Sequence, residues 1–357
     1  MDTDYITEAI TEFKTRYGIN VDAKLYQGVQ ILEDINVANS TGTGPDVYML
    51  PNDQTKKAAM AGLAKPNSLY TDEFWKTNYP KVAKDAVTTS DKAYGYPMYF
   101  DTYFIVYDSA IVETAPVTIQ NILDFSNQYE NVDGSKTIFK WNVVDPFYDY
   151  MYIGGYAEIL GDTGEDTSVF SVNSENVIAS MQYYQSLNEY LSMDATQSNY
   201  DDIKEEITNG SLIYGICKTD MLPLLEREDT TYKLAVLPNL TDTLASGTIS
   251  ITYSAVVNDY TDEDAAANLF ASFLSYEYAE YQYRLDRRVS TRQTIERSSS
   301  NESVVFSQYI TAKTAPKALE SGDFWTYSEI TFRNIWQGND VATELNNLQT
   351  TMEDRLK

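Results

Sequence analysis

The stretch that decides the fold runs from Tyr94 to Asp108 and reads YGYPMYFDTYFIVYD. It begins as a turn at Gly95 and Pro97 and continues as aromatic and β-branched residues, which predicts one long strand. Asp101 is a carboxylate near the start of this apolar run. Because an unpaired buried charge is costly, Asp101 must either have a partner or face a wet cleft. We expect the strand to leave one lobe, cross a ligand cleft and enter a second lobe, with Asp101 in the cleft.

The length and composition predict a two-lobed protein. At 357 residues the chain exceeds the size at which one hydrophobic core usually keeps growing. Its hydrophobic fraction of 43% is ample for cores of ordinary density.

The net charge of −27 limits the partners of the protein. Binding to nucleic acid or to an anionic membrane surface needs clustered Lys and Arg, so we expect neither. A solvated acidic surface that keeps the protein soluble explains most of this charge. Attraction of a cationic ligand stays open as a sharper explanation.

The chain contains no His and a single Cys, Cys217. This excludes His-based acid–base catalysis, Ser-His-Asp and Cys-His triads, and metal sites built from His or several Cys. We therefore expect no metal and no cofactor, and we predict Cys217 to be a small buried hydrophobe. No apolar run approaches ~18 residues, so no membrane span is predicted. No signal peptide is evident, and we interpret residues 1–4 as a start placed on a mature segment.

Helical and alternating patterns follow one another along the chain. The spacing predicts a helix over 4–17, a strand over 19–25 and a second helix over 27–38. Such βα repetition predicts mostly parallel sheets flanked by helices. A second long extended run spans 249–257, and the chain is predicted to close with helices over about 303–311 and 326–356.

Several weak motifs then occur in one order: Gly44-Pro45-Asp46 before a strand, Tyr94-Gly95-Tyr96-Pro97 before the crossing strand, the strand at 207–214, the strand at 232–238, and Phe324-Trp325 near the end. In this order the chain resembles extracellular solute-binding proteins of bacterial ABC importers, in the branch that includes maltodextrin-binding proteins. The similarity covers nearly the whole chain. One departure is that the family begins with a strand, whereas here a helix starts almost at once.

The resemblance implies an α/β fold with two lobes and a ligand cleft between them. We expect residues 1–103 and 251–302 in lobe 1, and residues 104–250 and 303–357 in lobe 2. Ligand is then held at strand ends and helix N-termini, as is general for open α/β sheets. Transferred residue by residue, the ligand-binding candidates are Asn52 and Asp53 at a strand end, Tyr99 and Asp101 in the crossing strand, Asp145, Phe147 and Tyr148 at a helix start, Lys218, Thr219 and Asp220 after a strand, and Trp325 and Tyr327 where the family places a stacking aromatic.

These side chains suit a sugar, because aromatic rings cover its C–H face and ionised carboxylates accept bonds from its hydroxyls. Each has a plainer explanation. Asp53 and Asp145 are equally well explained as helix caps. Trp325 is expected to stack on the ligand rather than to pack in the core, whereas Trp141, on a strand, is expected in the core.

The function expected from this resemblance is that of a non-enzymatic, monomeric carrier. It would capture a carbohydrate, such as a maltodextrin, by hinge closure and deliver it to the permease subunits of an ABC transporter. We expect it outside the cell, lipid-anchored or periplasmic. Two alternatives stay open: a carrier for a cationic ligand such as a polyamine, and a glycoside hydrolase using Asp101 and Asp145 at a separation of ~7 Å.

Overall fold

The computed structural model describes the chain except for residues 1–2, 27, 29, 132–133 and 192–197. The chain divides into two compact units. Unit 1 contains Met1–Phe100, Ile251–Arg297 and Lys317–Leu319, and unit 2 contains Asp101–Ser250, Ser298–Pro316 and Glu320–Lys357. The predicted boundary at 250/251 coincides with the observed one, and the predicted boundaries at 103/104 and 302/303 lie three and five residues beyond the observed ones. Residues 317–319, which were expected in lobe 2, belong to unit 1. The boundaries of the functional lobes stay a prediction.

Two long strands carry the chain from one unit to the other. Strand β4 (Tyr96–Asp108) passes from unit 1 to unit 2 after Phe100, and β10 (Ile249–Val257) returns after Ser250. Both runs were predicted as strands because aromatic and β-branched residues dominate them. All thirteen residues of β4 are buried, so the strand is covered on both faces.

Unit 1 is built around the pairing of β1 with β10. The two strands are antiparallel, with Val47 opposite Val257 and Pro51 opposite Tyr253. The elements that lie wholly in this unit are α1 (Thr3–Tyr17), α2 (Ile31–Ser40), β1 (Val47–Pro51), α3 (Thr55–Met60), α4 (Asp72–Asn78), α5 (Lys81–Val87), β2 (Thr88–Thr89), β3 (Lys92–Ala93), α11 (Asp264–Ser272) and α12 (Gln282–Asp286).

Aromatic side chains of α1, of α11 and of the turn that follows α11 pack together in the unit 1 core. The ring of Phe13 lies 5.0 Å from Phe270 and 5.3 Å from Phe273. Tyr5 is fully buried, and its hydroxyl donates to the Leu274 carbonyl at 2.6 Å. The apolar stripe of α1 therefore packs as its helical spacing predicts.

Unit 2 has a mixed sheet around β4. Strands β8 and β9 both pair with β4 in antiparallel fashion, while β5 pairs with β8 in parallel. The elements that lie wholly in this unit are α6 (Ile119–Ser126), β5 (Thr137–Lys140), α7 (Pro146–Ile153), β6 (Glu158–Ile159), β7 (Phe170–Ser171), α8 (Glu175–Leu191), α9 (Tyr200–Thr208), β8 (Leu212–Lys218), α10 (Leu222–Leu225), β9 (Tyr232–Ala235), α13 (Ser300–Thr311), β11 (Lys313–Thr314), α14 (Ser321–Trp336) and α15 (Val341–Arg355).

An aromatic cluster joins α7, α8 and α14 with Trp141, which follows β5. The ring of Trp336 lies 5.6 Å from Trp141 and 4.9 Å from Tyr184, and Tyr152 lies 4.8 Å from Tyr184. Trp141 is fully buried, which confirms its predicted place in the core. Cys217 is also fully buried and is a free thiol, as predicted.

Three details differ from the sequence-based expectations. Residues 19–25 form neither strand nor helix, and α2 begins at Ile31; residue 27, where that helix was expected to start, lies outside the described residues. The sheets are mixed rather than mostly parallel. The pairings of β1 with β10 and of β4 with β8 and β9 are antiparallel, because β4 and β10 enter each unit from the other one. The expected final helix is two helices, since Gly338 has a φ of 98° and Asp340 caps a new start.

Charge is distributed unevenly between the units. Unit 1 has 21 acidic and 16 basic residues, whereas unit 2 has 32 acidic and 10 basic residues. Between Lys140 and Lys204 the sequence contains no Lys or Arg, and α7 and α8 both lie in this interval. In the part of the chain that is described, no helix is long and apolar enough to cross a bilayer.

Candidate ligand-binding site

Helix α7 begins with a capped turn that carries three of the candidate residues. Asp145 is the N-cap, and its Oδ1 accepts from the Phe147 amide at 3.0 Å. The Asn142 amide group donates to Asp145 Oδ2 at 2.6 Å. Burial raises the pKa of Asp145, the nearby Lys218 opposes that shift and Glu329 adds to it. The capping explanation of Asp145 is therefore confirmed, while its contact with ligand stays a prediction.

The aromatic pair that follows the cap lies against β4. Phe147 packs edge-on against Tyr103, with ring centroids 5.4 Å apart. The ring of Tyr148 lies 5.6 Å from Tyr200, and Tyr148 is only 3% exposed. Its hydroxyl has no hydrogen-bond partner among the described residues. Burial, together with the charges of Asp101, Asp220 and Asp145, raises the pKa of Tyr148, so the phenol stays protonated and able to donate.

Asp101 has protein partners rather than being a lone carboxylate. Its Oδ1 accepts from the Thr219 amide at 3.1 Å and from the Thr219 hydroxyl. Its Oδ2 lies 3.8 Å from the Lys218 ammonium. Asp101 is 8% exposed. Of the two alternatives, the structure shows that Asp101 has partners, which the turn after β8 supplies. That Asp101 lies in a ligand cleft stays a prediction.

Asp220, the next residue of that turn, is also paired within unit 2. It accepts from the Tyr200 hydroxyl at 2.6 Å and from the Lys204 ammonium at 2.6 Å. The Tyr200 hydroxyl in turn accepts from the Lys218 amide at 3.2 Å, and the Lys218 ammonium lies 5.4 Å from the Tyr200 ring centre. Tyr200 therefore links α9 with the end of β8.

Helix α14 carries the last two candidates, which point in different directions. Trp325 is half-buried and lies one turn before Glu329, the residue whose charge acts on Asp145. Tyr327 instead faces α15, where its hydroxyl accepts from Arg355 at 3.0 Å. Because the two positions are about 200° apart around a helix, Tyr327 cannot share one ligand face with Trp325.

The unit 1 candidates at the end of β1 are held by β10. Asn52 is fully buried, and its Oδ1 accepts from the Thr252 amide at 2.9 Å. Asp53 accepts a long bond of 3.4 Å from Gln54 through Oδ2, whereas its buried Oδ1 has no partner among the described residues. Burial raises the pKa of Asp53. The cap of α3 is Gln54, with no side-chain cap bond, so Asp53 is not the helix cap that we considered.

Tyr99 lies in an aromatic and cationic stack of unit 1. Its ring is stacked on Tyr253 with centroids 4.8 Å apart and planes 18° apart. The guanidinium of Arg288 lies 5.3 Å from the Tyr99 ring centre. Tyr99 is 6% exposed and belongs to the hydrophobic core of unit 1, so its contact with ligand stays a prediction.

The sequence model of the bacterial extracellular solute-binding protein family matches residues 8–302. The chain belongs to this family. This solute-binding protein is 21% identical to the maltodextrin-binding protein MdxE of Bacillus subtilis (strain 168) over 99% of its own length and 88% of that protein. A second relative, the galactooligosaccharide-binding protein of the same organism, is 24% identical over 48% of this chain and 42% of that protein.

A solved structure has the same fold. The extracellular solute-binding protein of Staphylococcus aureus in complex with maltose aligns with a TM-score of 0.87 at 16% identity, over 99% of this chain and 94% of that chain. The two-lobe α/β fold of the family is thus confirmed for this solute-binding protein. The relatives are binding proteins rather than enzymes.

Unit 2 of this solute-binding protein brings seven predicted residues into one connected cluster: Asp101, Asp145, Phe147, Tyr148, Lys218, Thr219 and Asp220. Unit 1 connects Asn52 with Tyr99 through Thr252 and Tyr253 of β10. Four residues that contact the candidates were not predicted from the sequence: Tyr200, Asn142, Tyr253 and Arg288. The only signal for Tyr200 was its place after the cap residue Asn199, and nothing local marked the other three. Among the described residues no cluster of His, Cys, Asp and Glu could hold a metal ion.

Proposed function

We propose that this protein captures an oligosaccharide of the maltodextrin type outside the cell and delivers it to the permease of an ABC importer. The observation that carries the proposal is the start of α7. There Asp145 and the ring of Phe147 lie together with the buried Tyr148 hydroxyl, which has no hydrogen-bond partner in the part of the chain that is described. A buried hydroxyl without a partner costs about 1–3 kcal/mol, and a sugar hydroxyl would remove that cost.

The chemistry of both units supports a sugar ligand. Ionised carboxylates accept strongly from hydroxyls, and Asp53 Oδ1 and Asp145 have remaining acceptor capacity. The half-buried Tyr253, which stacks on Tyr99 in unit 1, and the half-buried Trp325 in unit 2 offer rings for the C–H face of a sugar. The names of relatives that bind maltodextrin and galactooligosaccharide support the same class of ligand.

Binding would work by hinge closure about β4 and β10. Ligand first binds to one lobe, and contacts from the other lobe then stabilise the closed form. Only the free energy that ligand gains in the closed state drives closure. No covalent step and no cofactor is part of this proposal. We further propose that the protein acts as a monomer, anchored by lipid or free in a periplasm.

The test is a ligand panel read by thermal shift and then by calorimetry. It compares maltose to maltohexaose, galacto-oligosaccharides of two to four units, and spermidine. A ligand at 100 times its Kd stabilises the folded state by about 2.7 kcal/mol, which gives a clear rise in Tm. We expect the maltodextrins to raise Tm most. Stabilisation by spermidine alone would overturn the sugar proposal in favour of a cationic ligand.

The hydrolase alternative is checked on the same samples. Maltohexaose is incubated with excess protein for a day, and its chain length is measured by mass spectrometry. We expect the chain length to stay the same. Shortened products that vanish in an Asp145→Asn variant would identify a hydrolase.

A further inference from the structure

Helix α7 contains a buried carboxylate, Asp149, close in sequence to the candidate residues Asp145, Phe147 and Tyr148. Asp149 lies one turn into α7 and is fully buried. It accepts three hydrogen bonds: from the Trp141 indole at 2.8 Å, from the Val144 amide at 2.9 Å and from the Tyr184 hydroxyl at 2.9 Å. No part of the proposed binding mechanism uses it, and a buried charge of this kind needs a reason.

One of these donors belongs to a strained residue. Val144 has a φ of 64°, in the left-handed region that a β-branched side chain rarely adopts. Strain of about 1–3 kcal/mol persists only where the surroundings hold it in place. The hydrogen bond from the Val144 amide to Asp149 Oδ2 stabilises this conformation. The next residue in the chain is Asp145, the N-cap of α7.

We propose that Asp149 is a positioning residue that holds Val144 in its left-handed conformation and thereby aims Asp145, Phe147 and Tyr148 at the ligand. Asp149 itself touches no ligand. Its Oδ1 fixes Trp141 at the start of the segment, and its Oδ2 fixes Val144 at the end. The 141–145 segment is thus held from both sides by one side chain.

The protonation state of Asp149 bears on this role. Burial raises the pKa of Asp149 to about 8, against the opposing effect of its three donors. The titratable groups whose charge acts on it or is acted on by it are Asp145, Tyr103 of β4, Tyr152 of α7 and Tyr184 of α8. The neutral acid below pH 8 carries a proton on one oxygen, whereas the carboxylate above pH 8 can accept from all three donors.

The test substitution is Asp149→Asn. An amide group has one oxygen, so its NH₂ group must face either the Trp141 indole N–H or the Val144 N–H, and that buried donor loses its partner. In either case the 141–145 segment is held from one end only. We expect D149N to fold and to bind maltotriose about tenfold more weakly than wild type at pH 9. The difference should shrink toward pH 6.5, where wild-type Asp149 is itself protonated. Equal affinities at pH 9 would overturn the proposal.

Two further variants separate positioning from general support of the core. Tyr184→Phe removes one donor but leaves the Val144 bond, so its affinity should stay within about twofold of wild type. Glycine adopts a φ of 64° without strain, so adding Val144→Gly to D149N should restore most of the lost affinity. A loss in Y184F as large as in D149N, or no rescue by glycine, contradicts the proposal. If D149N does not fold, the D149N/V144G double variant takes its place, and failure of both to fold also contradicts it.

The affinity measurement rests on the proposed function. A second measurement is therefore chosen that needs no ligand. Amide hydrogen exchange of the peptide that covers 144–147 should lose protection in D149N, while the peptide that covers β8 keeps its protection. Asp354→Asn, an exposed change of the same type, is the control and should leave both unchanged. If wild type binds no sugar but the exchange result holds, only the proposed ligand is wrong. Unchanged exchange at 144–147 in D149N overturns the positioning role.

Discussion

The two units support their candidate ligand residues in different ways. In unit 2, helix α7 lies on an aromatic cluster and on the Asp149 hydrogen bonds. In unit 1, Asn52 and Asp53 follow a strand end, and a backbone amide of β10 holds Asn52. The candidate carboxylates of unit 2 (Asp101, Asp145 and Asp220) have protein partners, whereas Asp53 keeps a buried oxygen without one among the described residues. We infer that the carboxylates of unit 2 are preorganised for ligand, and that the carboxylate of unit 1 has more to gain from it.

The largest expected effect comes from removing the support of α7. Trp336 is 3% exposed and packs on Trp141 and Tyr184. Trp336→Ala should lower the free energy of unfolding by about 3–5 kcal/mol, measured by urea unfolding. If the cluster also positions α7, the affinity of the folded variant for maltotriose should fall several-fold.

Phe13→Ala is the matched change in the core of unit 1, where Phe13 is fully buried. It should cost a similar ~3–5 kcal/mol in stability but leave affinity near that of wild type. Equal losses of affinity in Trp336→Ala and Phe13→Ala would contradict this difference between the units, because the core of each unit would then affect binding to the same extent.

The next effect separates capping from ligand binding in unit 2. Asp145→Ala removes the cap of α7, which should cost about 1 kcal/mol of stability, and should also lower maltotriose affinity at least tenfold. Asp340→Ala is a matched control, because Asp340 caps α15 by accepting from the Thr343 amide at 2.9 Å. It should cost the same stability and no affinity. If calorimetry finds equal affinities in the two variants, Asp145 is a cap and nothing more.

The smallest expected effect concerns Asp53 of unit 1. Burial raises its pKa, so the folded state binds a proton more tightly than the unfolded chain does. The stability that this contributes is present below the ordinary pKa of about 3.9 and is lost as pH rises through the folded value. Because Asn does not titrate, Asp53→Asn removes this loss of stability at higher pH. It should be as stable as wild type or more so, by under about 1 kcal/mol at pH 7, and should bind sugar more weakly.

Asp22→Asn, an exposed change in the same unit, is the control for this pH dependence. Urea unfolding at pH 4.5 and pH 7 provides the measurement for all three proteins. A variant D53N that is clearly less stable than wild type at pH 7 would show that Asp53 already has a satisfactory partner, and the contrast between the units would disappear.

The main features of the fold could be predicted because short stretches of the sequence indicate them. Aromatic and β-branched runs predict β4 and β10, and Asp145-Pro146 marks the start of α7 by a cap and a first-turn proline. The antiparallel pairings in the sheets were not predicted. Repetition of strands and helices predicts parallel pairing of strands that a helix links, whereas β4 and β10 enter each unit from the other one. The strand predicted over 19–25 shows that alternation alone does not form a strand without a neighbour to pair with.

The candidate site could be predicted only where a motif carried it. Asp101, Asp145 and Thr219 were named from the order of the motifs, and the structure joins Asp101 to Thr219. The partners that hold these residues were not predicted. Tyr184 reaches Asp149 across 35 positions of sequence, and Arg288 reaches the ring of Tyr99 from a distant segment. Such contacts depend on how elements pack, and no local pattern in one sequence indicates them.

The absence of Lys and Arg between Lys140 and Lys204 also determines how this region can be read by mass spectrometry. Trypsin cleaves after basic residues, so a complete digest leaves residues 141–204 as a single peptide. That peptide contains Trp141, Val144, Asp145, Asp149 and Tyr184. Carbodiimide labelling of carboxylates with and without sugar would therefore report on the cap and on the buried acid within one fragment. The decrease in its mass gain when sugar is present counts the carboxylates that the ligand protects.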